Sequence, residues 1–292
     1  MKTTYLTPAS VLPLLGRRAR DSHKGTYGTA LLVCGSVFYR GAASLSAEGA
    51  LRCGAGIVRL ASVDAVVDAV AARLPEVTFL PLPENGTGGI SSHATEAVLD
   101  AVSRASAVLA GCGMTNTEDT RVLTENLLLN APCPLVLDAD ALNAIAARPQ
   151  VLSCANVTPV VTPHPGEMAR LTGKSVSDLL SDPASAALAF AEEYGCVTVL
   201  KSHRTVIASP DGELYENTTG NPGLARGGSG DVLAGMTVGF LAQGKSPLDA
   251  AKLAVLLHGL AADRAAAERS ETGMLPSDLF PALCSVFREA GL

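Results

Sequence analysis

The sequence predicts an α/β fold: a mostly parallel central sheet covered by helices on both faces, with a short antiparallel hairpin near the C-terminal third. Three observations predict it. Short apolar runs of strand length alternate with segments of helical spacing from about residue 29 to residue 200. Strands separated by helices return in the same direction through right-handed crossovers, which buries the sheet on both sides. The rhythm then breaks at Lys201-Ser202-His203-Arg204 and at Pro210-Asp211-Gly212, connections short enough to make antiparallel neighbours.

In order, residues 1–24 are polar and mixed, and 29–34 is an apolar strand between Gly28 and Gly35. Helix 41–53 follows, with small and apolar residues at helical spacing, and Gly54 and Gly56 close it. Strand 57–61, helix 64–72, strand 77–80, helix 94–104, strand 107–110 and helix 117–129 keep the alternation. So do strand 135–138, helix 140–147, strand 158–161, helix 165–172, helix 184–194 and strand 197–200. Strands 204–208 and 213–216 form the hairpin, and the remainder is helical over 229–243, 247–266 and 277–289. No linker, repeat or shift of composition divides the chain, so residues 1–292 read as one domain.

Composition narrows the class. Hydrophobic residues make up 48% and charged ones 17%, as in a compact globular protein, and the net charge of −6 argues against nucleic acid as a partner. The seven cysteines are scattered, with no CxxC pair or zinc spacing, and read as small core residues in a reducing compartment. There is no export signal and no apolar run long enough to span a membrane. The expectation is a cytoplasmic protein with no membrane partner.

The chain is organised around the run from Gly220 to Gly235, where a glycine-dense loop (Gly227-Gly228-Ser229-Gly230) enters an apolar helix with Asp231 in its first turn. Glycines let N–H groups crowd inward, and a helix start adds unpaired donors and a positive dipole end, so the loop reads as a phosphate site. A carboxylate there repels phosphate unless a metal or a substrate hydroxyl lies between, which suggests a base beside a transferring phosphoryl group. The bland alternative makes Ser229 an N-cap and Asp231 a first-turn acid.

In a parallel sheet, ligands meet the C-terminal ends of strands. Gly111-Cys112-Gly113 allows close approach to backbone, and Asp138-Ala139-Asp140 could hold a metal or cap the next helix. His164, between Pro163 and Pro165, is restrained and reads as ligand-facing, with Pro165 opening a helix. Lys201 could meet an anion or be a solvated hairpin charge. His23, His93, His203 and His258 have no metal spacing. The run 239–246 fits a Walker A pattern, but no strand precedes it and Phe240 and Leu241 are too bulky for a phosphate cradle. It reads as a helix end, with Gly244 as the stop and Ser246-Pro247 as the next start.

Three motifs carry a resemblance: His23-Lys24-Gly25-Thr26-Tyr27-Gly28, Val161-Thr162-Pro163-His164-Pro165-Gly166-Glu167, and Gly227-Gly228-Ser229-Gly230-Asp231-Val232-Leu233-Ala234-Gly235. Over nearly its whole length the chain resembles the ADP/ATP-dependent NAD(P)H-hydrate dehydratases of the ribokinase-like superfamily. The resemblance implies a stand-alone ribokinase-like dehydratase domain, without the epimerase domain fused in some relatives. It implies Asp231 as the catalytic base, with Ala42, Gly113, His164 and Asp231 against the hydrated dinucleotide. Lys201, Ser202, His203, Arg204 and Thr205 would border the nucleotide, and Gly227, Gly228, Ser229 and Gly230 its phosphates. It further implies ADP (or ATP) as co-substrate, Mg2+ with no ligand assigned, and a homotetramer. Ser202, Cys112 and Arg226 stand where the family usually has glycine, proline and a small residue. The rival readings are a vitamin-precursor kinase of the same superfamily, which would release a phosphoester, and a non-catalytic nucleotide sensor.

Overall fold

A computed structural model describes residues 3–292. Its strands are β1 (Thr4–Tyr5), β2 (Thr29–Val33), β3 (Ile57–Val63), β4 (Thr78–Leu82), β5 (Ala107–Ala110), β6 (Leu135–Leu137), β7 (Val160–Val161), β8 (Val197–Leu200), β9 (Val206–Ala208) and β10 (Leu214–Glu216). The helices are α1 (Pro8–Val11), α2 (Arg40–Arg52), α3 (Asp64–Ala71), α4 (Thr95–Val102), α5 (Glu118–Asn130) and α6 (Asp140–Ile145). After them come α7 (Pro165–Thr172), α8 (Val176–Ser181), α9 (Pro183–Tyr194), α10 (Ser229–Ala242), α11 (Pro247–Arg269) and α12 (Leu279–Glu289).

All ten strands join one sheet in the order β1-β10-β9-β8-β7-β6-β5-β2-β3-β4. Pairing is parallel throughout except that β9 runs against both β8 and β10. The central strands β2, β5 and β6 are apolar and almost entirely buried, as strands covered on both faces must be. The order reverses at β2, which lies between β3 and β5, and such a switch opens a crevice at the strand C-termini. None of the described helices is long and apolar enough to cross a membrane.

Helix α10 lies across α2 at close range. A Cβ on Gly235 would be driven into the Ser46 carbonyl, so the glycine is what lets the two backbones meet. Every residue of α10 is buried except Gly230 and Asp231. A helix otherwise sealed in the core therefore opens at one place, its first turn.

The alternation and the hairpin are as the sequence predicts, with three differences. Strand 158–161 shortens to Val160–Val161; strand 204–208 shortens to Val206–Ala208 because the Ser202–Thr205 turn consumes its leading residues. The two-residue β1 and the six-residue α8 were not expected; both are too short for periodicity to register. The cysteines are all free, but Cys154 and Cys284 are exposed, so the reading of all seven as core residues fails for those two. The Walker A pattern is indeed a helix end: Gly244 has φ +82° just past α10, and Ser246 caps α11 with Pro247 at its first position.

Candidate active site

Four neighbouring strands set a row of side chains along the C-terminal edge of the sheet. Cys112 follows β5, Asp138 follows β6, Thr162 follows β7 and Lys201 follows β8. The strands run parallel, so residues far apart in sequence meet. Lys201 Nζ lies 2.6 Å from Asp138 Oδ1, and Thr162 donates its hydroxyl to the same oxygen at 2.7 Å. Asp138 Oδ2 faces Cys112 Sγ at 3.8 Å. Glu167 Oε2 is 3.8 Å from Lys201 Nζ.

The acids at 138 and 140 do not cap α6 with their side chains: Ala139 is the N-cap, at φ 47°. Asp140 instead accepts the Thr115 N–H at 2.8 Å. Nor is Lys201 a solvated hairpin charge. Burial alone would lower its pKa, but Asp138 and Glu167 raise it on balance, so the ammonium is a fixed positive charge.

Asp231 occupies the third position of α10, beside this row. Gly228, at φ +102°, is the N-cap, which corrects the alternative in which Ser229 would cap the helix; the Ser229 hydroxyl is buried without a hydrogen-bond partner. Desolvation and the negative charge of Asp138 push the Asp231 carboxyl up to about 6, while Cys112 and Lys201 pull the other way. The result is a carboxylate poised near neutrality at a helix mouth. His258, from α11, packs its Nε2 3.0 Å from the Ser229 carbonyl oxygen, and burial lowers its pKa to about 4. Neutral His258 therefore donates to Ser229 and pins the start of α10. No local pattern around His258 signals this role, because its partner lies 29 residues away on another helix.

His164 has a structural role at the start of α7. It is the N-cap of α7, its Nδ1 accepting the N–H groups of Gly166 (3.0 Å) and Glu167 (3.4 Å), while Glu167 accepts the His164 N–H at 2.8 Å. Desolvation, Lys201 and Arg170 lower its pKa, so the ring is neutral with its proton on Nε2. The side chain is 50% exposed and lines the adjoining cavity.

That cavity, of about 760 Å³, is bordered by His164, Lys201, Ser202, His203, Thr205, Ser229, Gly230 and the 220–226 loop. Arg204 turns toward Glu216 (3.2 Å) instead, and Gly227 and Gly228 stand outside its wall. Ser202 holds its turn by donating to the Arg204 carbonyl at 2.8 Å. Ala42 and Gly113 adjoin one another at the switch point, since a Cβ on Gly113 would stand 2.9 Å from that of Ala42. Asp231, linked through Cys112 to this side and through Gly230 to the cavity, lies between the two regions.

Comparison with known proteins places this geometry. The family model for NAD(P)H-hydrate dehydratase matches residues 30–284. The chain belongs to that family. It is 38% identical to the ADP-dependent (S)-NAD(P)H-hydrate dehydratase of Bacillus subtilis, an alignment covering 99% of each chain. It is 41% identical, over 97% of its own length, to a bifunctional NAD(P)H-hydrate repair enzyme of Moorella thermoacetica. The chain spans about half the length of that enzyme and of the other bifunctional relatives it matches (53% in the Moorella case). A crystal structure of the ADP/ATP-dependent dehydratase from Bacillus subtilis, co-crystallised with ATP/Mg2+, superposes with a TM-score of 0.84 at 34% identity, covering 99% of both chains. A hydroxyethylthiazole kinase from Pyrococcus horikoshii shares the fold at 18% identity and a TM-score of 0.62. The ribokinase-like architecture is thus common to dehydratases and small-molecule kinases.

Proposed function

We propose that this chain is an ADP-dependent (S)-NAD(P)H-hydrate dehydratase, able in principle to use ATP, that restores NADH and NADPH from their hydrated forms. The observation that carries the reading is the half-buried Gly230-Asp231 pair at the mouth of an otherwise buried helix, with the Asp231 carboxyl raised to about 6.

The hydrated ring carries a hydroxyl, and hydroxide is a poor leaving group. Asp231 takes the hydroxyl proton as its oxygen attacks the terminal phosphorus of the nucleotide, which departs as AMP when the donor is ADP. The ring nitrogen's lone pair then expels phosphate, and loss of a proton from the adjoining ring carbon to solvent restores the reduced ring. A base with a pKa near the working pH combines availability with driving force. The N–H groups of the Gly227–Gly230 turn and the dipole of α10 steady the charge on the migrating phosphoryl group.

Ala42, Gly113, His164 and Asp231 would hold the hydrated dinucleotide. The nucleotide would fill the 760 Å³ cavity bordered by Lys201, Ser202, His203, Thr205, Ser229 and Gly230, with Gly227, Gly228 and Arg204 just beyond its wall. Lys201 keeps Asp138 and Glu167 from crowding the site with unpaired negative charge. A Mg2+ ion carried on the phosphates suits the donors present, because Asp138 Oδ2 offers a hard oxygen not engaged by Lys201. When bound, the ion would spread phosphoryl charge. We also propose a homotetramer working in the cytoplasm, on the family resemblance.

The test is incubation of the purified protein with hydrated NADH and either nucleotide, following NADH absorbance and free phosphate together. Stoichiometric rise of both supports the dehydratase. A phosphorylated product without restored NADH would mean a kinase, and nucleotide binding without turnover a sensor.

A further inference from the structure

Cys112 lies just past β5, and its thiol is aimed at two carboxylates. Cys112 Sγ, an Asp138 oxygen and an Asp231 oxygen all lie within 4.8 Å of one another. Asp138 is 2% exposed, and while its Oδ1 takes both Lys201 and Thr162, its Oδ2 has no partner but the thiol, a weak donor at 3.8 Å. A buried carboxylate oxygen thus points, nearly unpaired, into a cluster of potential ligands. Ionised together, Cys112, Asp138 and Asp231 carry three negative charges, and Lys201 supplies one positive. With Glu167 also 3.8 Å from Lys201 Nζ, negative charge is in excess here, and a divalent cation offsets two units of it.

We propose that Cys112 Sγ, Asp138 Oδ2 and the Asp231 carboxylate bind a thiophilic divalent cation of the Zn2+ or Cd2+ class, with water completing the coordination. Such ions take a thiolate at about 2.3 Å and carboxylate oxygens at about 2.0–2.2 Å. The three ligands therefore close by about an ångström, within reach of rotation about the two aspartate side chains. Mg2+, which demands oxygen ligands, makes no use of the sulfur. On binding, the Sγ–H bond breaks, an Sγ–metal bond forms, and one proton leaves to solvent with no change of oxidation state. The binding stands on the geometry alone. Its consequence, inhibition, rests on the proposed role of Asp231, because a metal-held carboxylate cannot accept the substrate proton.

The experiment titrates Cd2+ into full-length protein in which the exposed Cys154 and Cys284 are replaced by serine, reading ultraviolet thiolate-to-metal charge transfer. One equivalent should develop the band. Cys112→Ser should abolish it, Asp231→Asn should weaken binding at least tenfold, and Cys34→Ser should retain it. Cys112→Pro is the second variant, with thermal melting to verify folding. A band of undiminished intensity in folded Cys112→Ser or Cys112→Pro overturns the site. In parallel, Zn2+ should inhibit NADH restoration in the parent at least tenfold more strongly than in either Cys112 variant. Metal binding without inhibition would leave the site standing and remove Asp231 from the chemistry.

Discussion

Lys201 and Asp138 meet at 2.6 Å although 63 residues separate them in sequence. The pair forms because β6, β7 and β8 are successive parallel neighbours whose C-terminal ends align. It fixes a positive charge against a buried carboxylate, beside the acid on which the proposed chemistry turns.

Removing that cation has two separable effects. Lys201→Met leaves Asp138 buried without its charged partner, which costs about 3 kcal/mol or more of stability. It also removes a charge that holds the Asp231 pKa down, so the acid limb of the rate profile should move to higher pH. Chemical denaturation and a pH series of kcat/KM read the two effects apart. An unmoved limb would mean that Lys201 does not sense Asp231.

Asp231→Asn should lose turnover by about 100- to 10,000-fold, the usual worth of a positioned acid–base group, while nucleotide binding persists. The same substitution should raise stability at neutral pH. The folded carboxyl titrates near 6, above its ordinary value of 3.8, so the native state binds more protons than the unfolded chain between those values. Stability from this group is therefore lost as pH rises through that window, and a neutral isostere should recover about 1–3 kcal/mol at pH 7. Near-normal turnover in this variant would dismiss Asp231 as the base.

The pH profile of kcat/KM in the parent should fall on the acid side with a midpoint near 6, where Asp231 becomes protonated. His164, its pKa lowered by desolvation, Lys201 and Arg170, is neutral at pH 7 and should add no loss there.

His258 predicts an opposite stability trend. Its folded pKa near 4 lies below its ordinary value of 6.5, so the unfolded chain binds more protons and stability falls as pH drops through that range. His258→Asn should flatten this acid sensitivity while loosening the start of α10, seen as faster amide exchange near Ser229. Unchanged acid melting would show that the ring does not stay neutral on folding.

At the crossing of α2 and α10, Gly235→Ala should destabilise by about 1–3 kcal/mol, the usual cost of overpacking, because the added methyl is driven into the Ser46 carbonyl. Differential scanning calorimetry gives the answer, and an unaltered melting temperature would mean that the helices part at no cost.

The sequence by itself determined the alternation of strands and helices, the antiparallel departure after Lys201, and the glycine-rich entry to α10 with Asp231 in its first turn. Those features are local: periodicity, turn chemistry and helix starts are written into consecutive residues. Only the tertiary structure decided that Asp138 partners Lys201, that His258 pins Ser229, and that Cys112 faces two carboxylates. Each of these joins residues from different elements. The parallel sheet aligns strand ends regardless of distance along the chain, and burial then sets the charge state of what it gathers.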